Sequence, residues 1–203
     1  MNKKKSRKNW HNKHIRDRFV KQSRSDAYRS RAVYKLEEIN KKYNLLAGSV
    51  NILDLGSCPG SWSEFICRNF QNKKLVSVDI LDMKPIKGSF FIQGDILSLE
   101  VQAKIKEKYG ILDLVLSDIA PNITGIDDID QANFTRILLT ILQICHELLS
   151  RKGGLVMKYF IGSSYDGALA RLKAVFDKVE SFKPDSSRSS SNEIFFVCIG
   201  YKD

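Results

Sequence analysis

The stretch Asn51-Ile-Leu-Asp-Leu-Gly-Ser-Cys-Pro-Gly-Ser-Trp62 decides how this chain is read. An apolar run ends in an acid and a Gly, and a Pro and a second Gly follow within four residues. A segment with helical spacing, Ser61 to Phe70, comes next. A strand, a tight turn and a helix N-terminus in that order open a nucleotide-binding α/β domain. Around this pivot the chain shows seven strand-like runs: 50–55, 74–80, 90–93, 112–117, 154–159, a weak one at 178–183, and 194–201. Helical patterns separate most of them. Phe134, Ile137, Leu138, Ile141, Leu142, Cys145, Leu148 and Leu149 form one stripe over 131–149, and Leu169, Leu172, Val175 and Phe176 form another over 165–179. Strands alternating with helices predict a Rossmann-like α/β fold, with a mostly parallel seven-stranded sheet covered on both faces. No helix is expected between the last two runs. They are joined by the Ser/Arg loop 185–192, which suits an antiparallel last strand.

The 203 residues suffice for one domain, expected over 28–203. A helix is expected from Tyr28 onward, with Val33, Leu36, Ile39 and Tyr43 on one face. The net charge of +10 is concentrated at one end. Residues 1–34 hold 12 Lys/Arg against Asp17 and Asp26, while the remaining 21 Lys/Arg are matched by 21 acids. A basic arm over 1–27, loosely ordered, on a neutral body points to a polyanion partner, most often nucleic acid, rather than a merely solubilising tail. Trp10, His11, His14, Phe19 and Tyr28 interleave with the charges and offer faces for base stacking. No apolar run approaches the roughly 20 residues of a membrane span, and no signal peptide is recognisable, so a cytoplasmic protein is expected. The four cysteines lack metal-site spacing, and Cys145 and Cys198 sit in core patterns. No metal is expected, and a monomer is the default.

The glycine loop lacks both the dinucleotide fingerprint and a triphosphate loop, which disfavours a nicotinamide oxidoreductase. Acids stand instead at successive strand ends. Asp79 closes the second strand, where a carboxylate accepts from ribose hydroxyls. Asp95 follows the third and suits an adenine amino group, and Asp118 ends the fourth. Three carboxylates repel a pyrophosphate, but they suit a ligand with a ribose, a base, an ammonium and a sulfonium. S-adenosylmethionine has those groups. Gly56, Gly60, Trp62, Asp79, Asp95 and Asp118 are the expected cofactor residues.

Five blocks carry a resemblance: Ser30-Arg-Ala-Val-Tyr-Lys-Leu36, Asp54-Leu-Gly-Ser-Cys-Pro-Gly-Ser-Trp62, Ser117-Asp-Ile-Ala-Pro-Asn122, Val156-Met-Lys158, and Lys183-Pro-Asp-Ser-Ser-Arg188 through Glu193. Together, from about Ser23 onward, the chain resembles the FtsJ-type ribosomal RNA 2′-O-methyltransferases. The loop departs from the expected Ala-Ala-Pro-Gly-Gly, and Cys58 adds a thiol beside the cofactor. The resemblance implies a catalytic tetrad of Lys35, Asp118, Lys158 and Glu193, with Lys158 as base or positioning group. It also implies a target, a uridine in the A-loop of 23S ribosomal RNA in the large subunit. Taken singly, Lys35 suits a solvated helix face and Glu193 an edge strand. Asn122 stands where base-amino methyltransferases carry an aromatic, which favours a ribose target. A sibling acting on transfer RNA and a non-catalytic assembly factor are the rival readings.

Overall fold

A computed structural model describes residues 17–121 and 123–202, so Trp10, His11, His14 and Asn122 lie outside the described residues. The basic segment ends in a helix, α1 (Arg18–Ser25), followed by α2 (Val33–Tyr43), the short α3 (Leu45–Gly48) and β1 (Asn51–Leu55). Then come α4 (Ser61–Asn69), β2 (Lys74–Asp79), β3 (Ser89–Gln93), α5 (Leu99–Tyr109), β4 (Leu112–Ser117), α6 (Asp127–Leu148), β5 (Leu149–Phe160), α7 (Tyr165–Val175), β6 (Phe176–Phe182) and β7 (Glu193–Tyr201).

The seven strands form one sheet in the order β3-β2-β1-β4-β5-β7-β6. The first five are parallel to one another, while β7 runs antiparallel to both β5 and β6. The mixed sheet with an antiparallel last strand is therefore as expected. The order adds that β7 is inserted between β5 and β6, so Glu193 opens an interior strand and its edge reading is overturned.

Successive side chains of a strand point to opposite faces. Ile52, Leu75, Leu114, Leu116, Val156, Phe195 and Val197 pack on one side with α2, α3 and α4. Leu53, Leu55, Val76, Val115, Leu155, Met157 and Phe196 pack on the other with α5, α6 and α7. Burial on both faces explains why β1, β4 and β5 read as nearly unbroken apolar runs. Strand order reverses between β1 and β4. That is the topological switch point at which a crevice opens beyond the strand ends.

Several boundaries differ from the sequence reading, and the helix expected from Tyr28 begins at Val33. Helix α6 begins at Asp127, and β5 follows it at Leu149, where pairing of Leu149 with Leu112 extends the strand backward from Gly154. Helix α7 stops at Val175. Phe176 and Val179 belong to β6, because pairing with Tyr201 and Cys198 of β7 outweighs their helical spacing. The basic segment is not loose as far as Ala27. Asp17 caps α1 by accepting the Phe19 N–H at 3.0 Å, Val20 is buried, and the Phe19 ring lies 5.5 Å from Tyr34. Tyr28 packs 6.3 Å from Phe65. These two rings are committed to the fold rather than held out for bases.

Among the described residues no helix is long and apolar enough to cross a membrane. The α6 stripe gives a direct check on the core. Leu138 is fully buried and its neighbour Leu139 is exposed. Leu138→Ala is expected to cost about 2–5 kcal/mol in urea unfolding, and Leu139→Ala less than about 0.5 kcal/mol.

Candidate active site

The loop after β1 is fastened to β2. Gly56 and Ser57 donate their N–H groups to the Val78 carbonyl at 2.9 and 3.1 Å, and Cys58 donates to Asp79 Oδ2 at 2.8 Å. Gly56 has φ +71°, and a Cβ there would stand 2.6 Å from Ile119 Cγ1, so only glycine suits the position. Gly60, at φ +106°, has Met83, Ile86 and Arg29 behind it. Trp62 is buried, donates its indole N–H to the Ala32 carbonyl at 2.8 Å and packs 5.8 Å from Phe195. Gly60 and Trp62 therefore set the shape of the loop from behind and beneath.

Beyond the ends of β1 to β4 lies a cavity of about 640 Å³. Gly56, Asp79, Asp95 and Asp118 line it, as do Cys58 and Ile119. Asp79 accepts from Leu81 N–H at 2.9 Å as well as from Cys58, so one carboxylate both ties the loop and faces the cavity. Asp95 is exposed and accepts from Leu97 N–H at 2.9 Å. Asn133, Arg136 and Ile137 form its far wall from α6, a role that the apolar stripe of that helix does not signal. Partial burial, with Asp79 and Asp82 nearby, pushes the Cys58 thiol above its ordinary range despite Arg29. The thiolate form of Cys58 is thus disfavoured.

Asp118 connects the cavity to a cluster of alternating charge. Lys158 Nζ donates to the Asp118 main-chain carbonyl at 2.5 Å and stands 3.0 Å from Asp118 Oδ1. Lys35 Nζ lies 3.8 Å from the same Oδ1 and 2.8 Å from Glu193 Oε1. The four residues expected as a tetrad come from α2, the end of β4, β5 and the start of β7, and they are adjacent in space. Burial pushes the Glu193 carboxyl upward. The Lys35 ammonium and its hydrogen bond, the Ser187 hydroxyl and Lys158 outweigh that and hold it below the ordinary carboxylate range.

Asp54, which lies outside the residues expected from the sequence, belongs to the same neighbourhood. It is almost wholly buried at 1 % exposure, and its Oδ2 accepts from Ser63 at 2.6 Å. Ser63 in turn shares a 2.6 Å contact with Ser77. Its Oδ1 has no hydrogen-bond partner. Burial pushes this carboxyl up to about 7; Ser63 opposes the rise, and Asp118 and Asp79 add to it. The signal was an acid inside an apolar strand run. Among the described residues no cluster of three His, Cys, Asp or Glu is arranged to hold a metal ion.

Residues 28–201 match the model of the FtsJ-like methyltransferase family. The chain is 41% identical over 199 residues to ribosomal RNA large subunit methyltransferase E of Pelagibacter ubique, covering 98% of each chain. It is 42% identical over 204 residues to the protein of that name from Marinobacter nauticus, covering 98% of this chain and 97% of the other. A crystal structure described as a ribosomal RNA methyltransferase of Plasmodium falciparum superposes with a TM-score of 0.76 at 33% identity, covering 86% of this chain and 98% of that one. Human methyltransferase-like protein 13 in complex with SAH shares the fold, with a TM-score of 0.58 at 18% identity.

Asp54 gives a pH-dependent prediction. Its carboxyl binds a proton more tightly in the folded chain, at about 7, than at the ordinary 3.8. Below about 4 both states are protonated and the group is neutral in its effect. As pH rises toward 7 the folded state loses stability relative to the unfolded one, because ionisation is opposed only in the fold. Asp54→Asn, which still accepts from Ser63, is expected to flatten that decline in urea unfolding followed from pH 4 to 8.

Proposed function

Because the chain belongs to the FtsJ-like methyltransferase family, we propose that it methylates a ribose 2′-hydroxyl of RNA with S-adenosylmethionine as donor. The target is a uridine in the A-loop of 23S ribosomal RNA within the large subunit. One observation carries the reading: the Lys158–Asp118–Lys35–Glu193 chain of opposite charges stands at the edge of the cavity, joined to it through Asp118. The large-subunit target is supported by the relatives' names, and the A-loop uridine by the resemblance of the five sequence blocks.

The cavity suits the donor. Its volume falls within the range of roughly 300–1,000 Å³ typical of small-molecule sites. Its acids favour a cationic ligand without phosphates. Asp79 would accept from the ribose hydroxyls and Asp95 from the adenine amino group, with the Gly56 backbone close alongside. When bound, S-adenosylmethionine supplies an electrophilic methyl carbon on a sulfonium.

The chain's own part is positioning. Lys158 Nζ already donates to the Asp118 carbonyl and is in ion-pair contact with its carboxylate, which fixes the end of a long side chain. A lysine ammonium has three N–H groups, and one remains to donate to the ribose hydroxyl. That bond turns the oxygen's lone pair toward the reacting carbon. On transfer the methyl–sulfur bond of the donor would break as the O–C bond forms, releasing a neutral thioether, and the hydroxyl proton would pass to solvent water once the oxygen carries positive charge. Lys158 is then a positioning group, and the two carboxylates keep two ammonium groups tolerable in one place.

Lys158→Ala is expected to bind S-adenosylmethionine within about twofold of wild type in calorimetry, yet to lose methyl transfer by at least about a hundredfold. Full turnover by that variant would remove Lys158 from the mechanism. The substrate is checked by giving labelled donor to free 23S RNA, large subunits and transfer RNA and mapping the methylated nucleotide; a ribose methyl on an A-loop uridine is expected. Removing residues 1–16, which carry seven Lys/Arg and no acid, should weaken RNA binding and flatten its salt dependence while leaving donor affinity unchanged.

A further inference from the structure

The connection between β6 and β7 is longer than its task requires. Adjacent antiparallel strands are commonly joined by two to five residues, but here residues 183–192 intervene. The extra length folds back on α2. Glu38 accepts two consecutive main-chain N–H groups from this loop, Asp185 at 2.6 Å on Oε2 and Ser186 at 2.9 Å on Oε1. Arg31, just before α2, donates to the Ser186 carbonyl and pairs with Asp17. Ser187 N–H closes a turn on the Pro184 carbonyl at 2.9 Å. Ser186 and Ser187 are buried, whereas Arg188, Ser189 and Ser190 are exposed.

The pinned turn delivers one hydroxyl to the active site. Ser187 Oγ donates to Glu193 Oε1 at 2.8 Å, the oxygen that also meets Lys35 Nζ at 2.8 Å. Glu193 contacts Lys35, which lies 3.8 Å from Asp118 Oδ1, while Lys158 is the nearer ammonium to that oxygen at 3.0 Å. Two ammonium groups face one carboxylate oxygen, and Lys35, the farther of the two, is the one that Glu193 contacts at 2.8 Å.

We infer that Ser187, set in place by Glu38, is a positioning residue for methyl transfer: it fixes Glu193 so that Lys35 is drawn aside and Lys158 keeps Asp118. This rests on the reading of the cluster as the methyl-transfer site. Without the hydroxyl, the Glu193 carboxylate is free to turn, and Lys35 moves toward Asp118 at the expense of Lys158. The charged groups facing Glu193 are Lys35 from α2, Lys158 from β5 and Arg31 before α2. Ser187 is one of the groups that hold the Glu193 carboxyl low. Its loss therefore raises that carboxyl, and the acid limb of the rate profile moves to higher pH.

The experiment measures kcat, KM for the donor and kcat against pH on large ribosomal subunits with labelled S-adenosylmethionine. It compares wild type with Ser187→Ala, Ser187→Thr, Glu38→Ala and Ser190→Ala. Ser187→Ala is expected to lower kcat on the order of tenfold, to shift the acid limb upward and to leave donor KM and thermal midpoint nearly unchanged. Ser187→Thr restores kcat and the profile. Glu38→Ala moves both in the same direction as Ser187→Ala, and the exposed Ser190→Ala changes neither. An active wild type together with a Ser187→Ala protein of equal kcat and equal profile overturns the positioning role alone. So does a loss in Ser187→Ala that travels with equal losses of donor affinity and thermal midpoint. A wild type that transfers no methyl group to any RNA overturns the underlying reading, and the positioning role with it.

Discussion

A single carboxylate oxygen, Asp118 Oδ1, faces two ammonium groups, Lys158 at 3.0 Å and Lys35 at 3.8 Å. Both lysines are largely withdrawn from water, and buried like charges are costly unless each is paired. The alternating order Lys158–Asp118–Lys35–Glu193 meets that requirement with two acids for two bases. Much of the architecture serves to make those four side chains meet. Asp118 ends β4 and Lys158 stands on the parallel β5 beside it. Glu193 begins the antiparallel β7 against Phe160. Lys35 comes down from α2, which is seated on this face of the sheet by Val33, Leu36 and Ile39.

The same sheet sets the cavity. Parallel strands present their carboxyl ends together, so Asp79, Asp95 and Asp118 gather at one edge although they are far apart in the chain. The reversal of order between β1 and β4 opens the crevice there, and α6 closes its far side with Asn133, Arg136 and Ile137. The glycine loop is not free to adapt. Val78 and Asp79 hold its N–H groups, and Ile119 leaves no room for a side chain at Gly56. A loop tied to β2 and acids on strand ends thus border one cavity.

The features legible in the sequence were those set by periodicity and by local chemistry. Alternating strand and helix patterns gave the layers, and the apolar stripe of α6 gave the core. Acids placed directly after apolar runs gave three cavity residues. Features that depend on pairing across the chain were not legible. The helical spacing of Phe176 and Val179 was overridden by partners in β7, and the position of β7 inside the sheet has no local signature. Phe19 and Tyr28 looked like free aromatics among charges, yet Tyr34 and Phe65 claim them. Asp54 was visible as an acid in an apolar run, but its unpartnered oxygen emerges only from three dimensions. The chemistry of the tetrad came from resemblance, since Lys35 and Glu193 are unremarkable by position.

The insertion of β7 between β5 and β6 has a consequence for how the protein is made. A ribosome delivers the chain from the N-terminus, so β1 to β6 emerge with a gap in the sheet where β7 belongs. Until β7 enters, β5 and β6 each expose an unpaired edge, and the Lys35 ammonium lacks its closest carboxylate. The strand that completes the backbone hydrogen bonding is also the strand that brings Glu193. Closure of the sheet and assembly of the charge cluster are one event, so nascent chains short of β7 lack the Glu193 carboxylate and present strand edges open to wrong pairing.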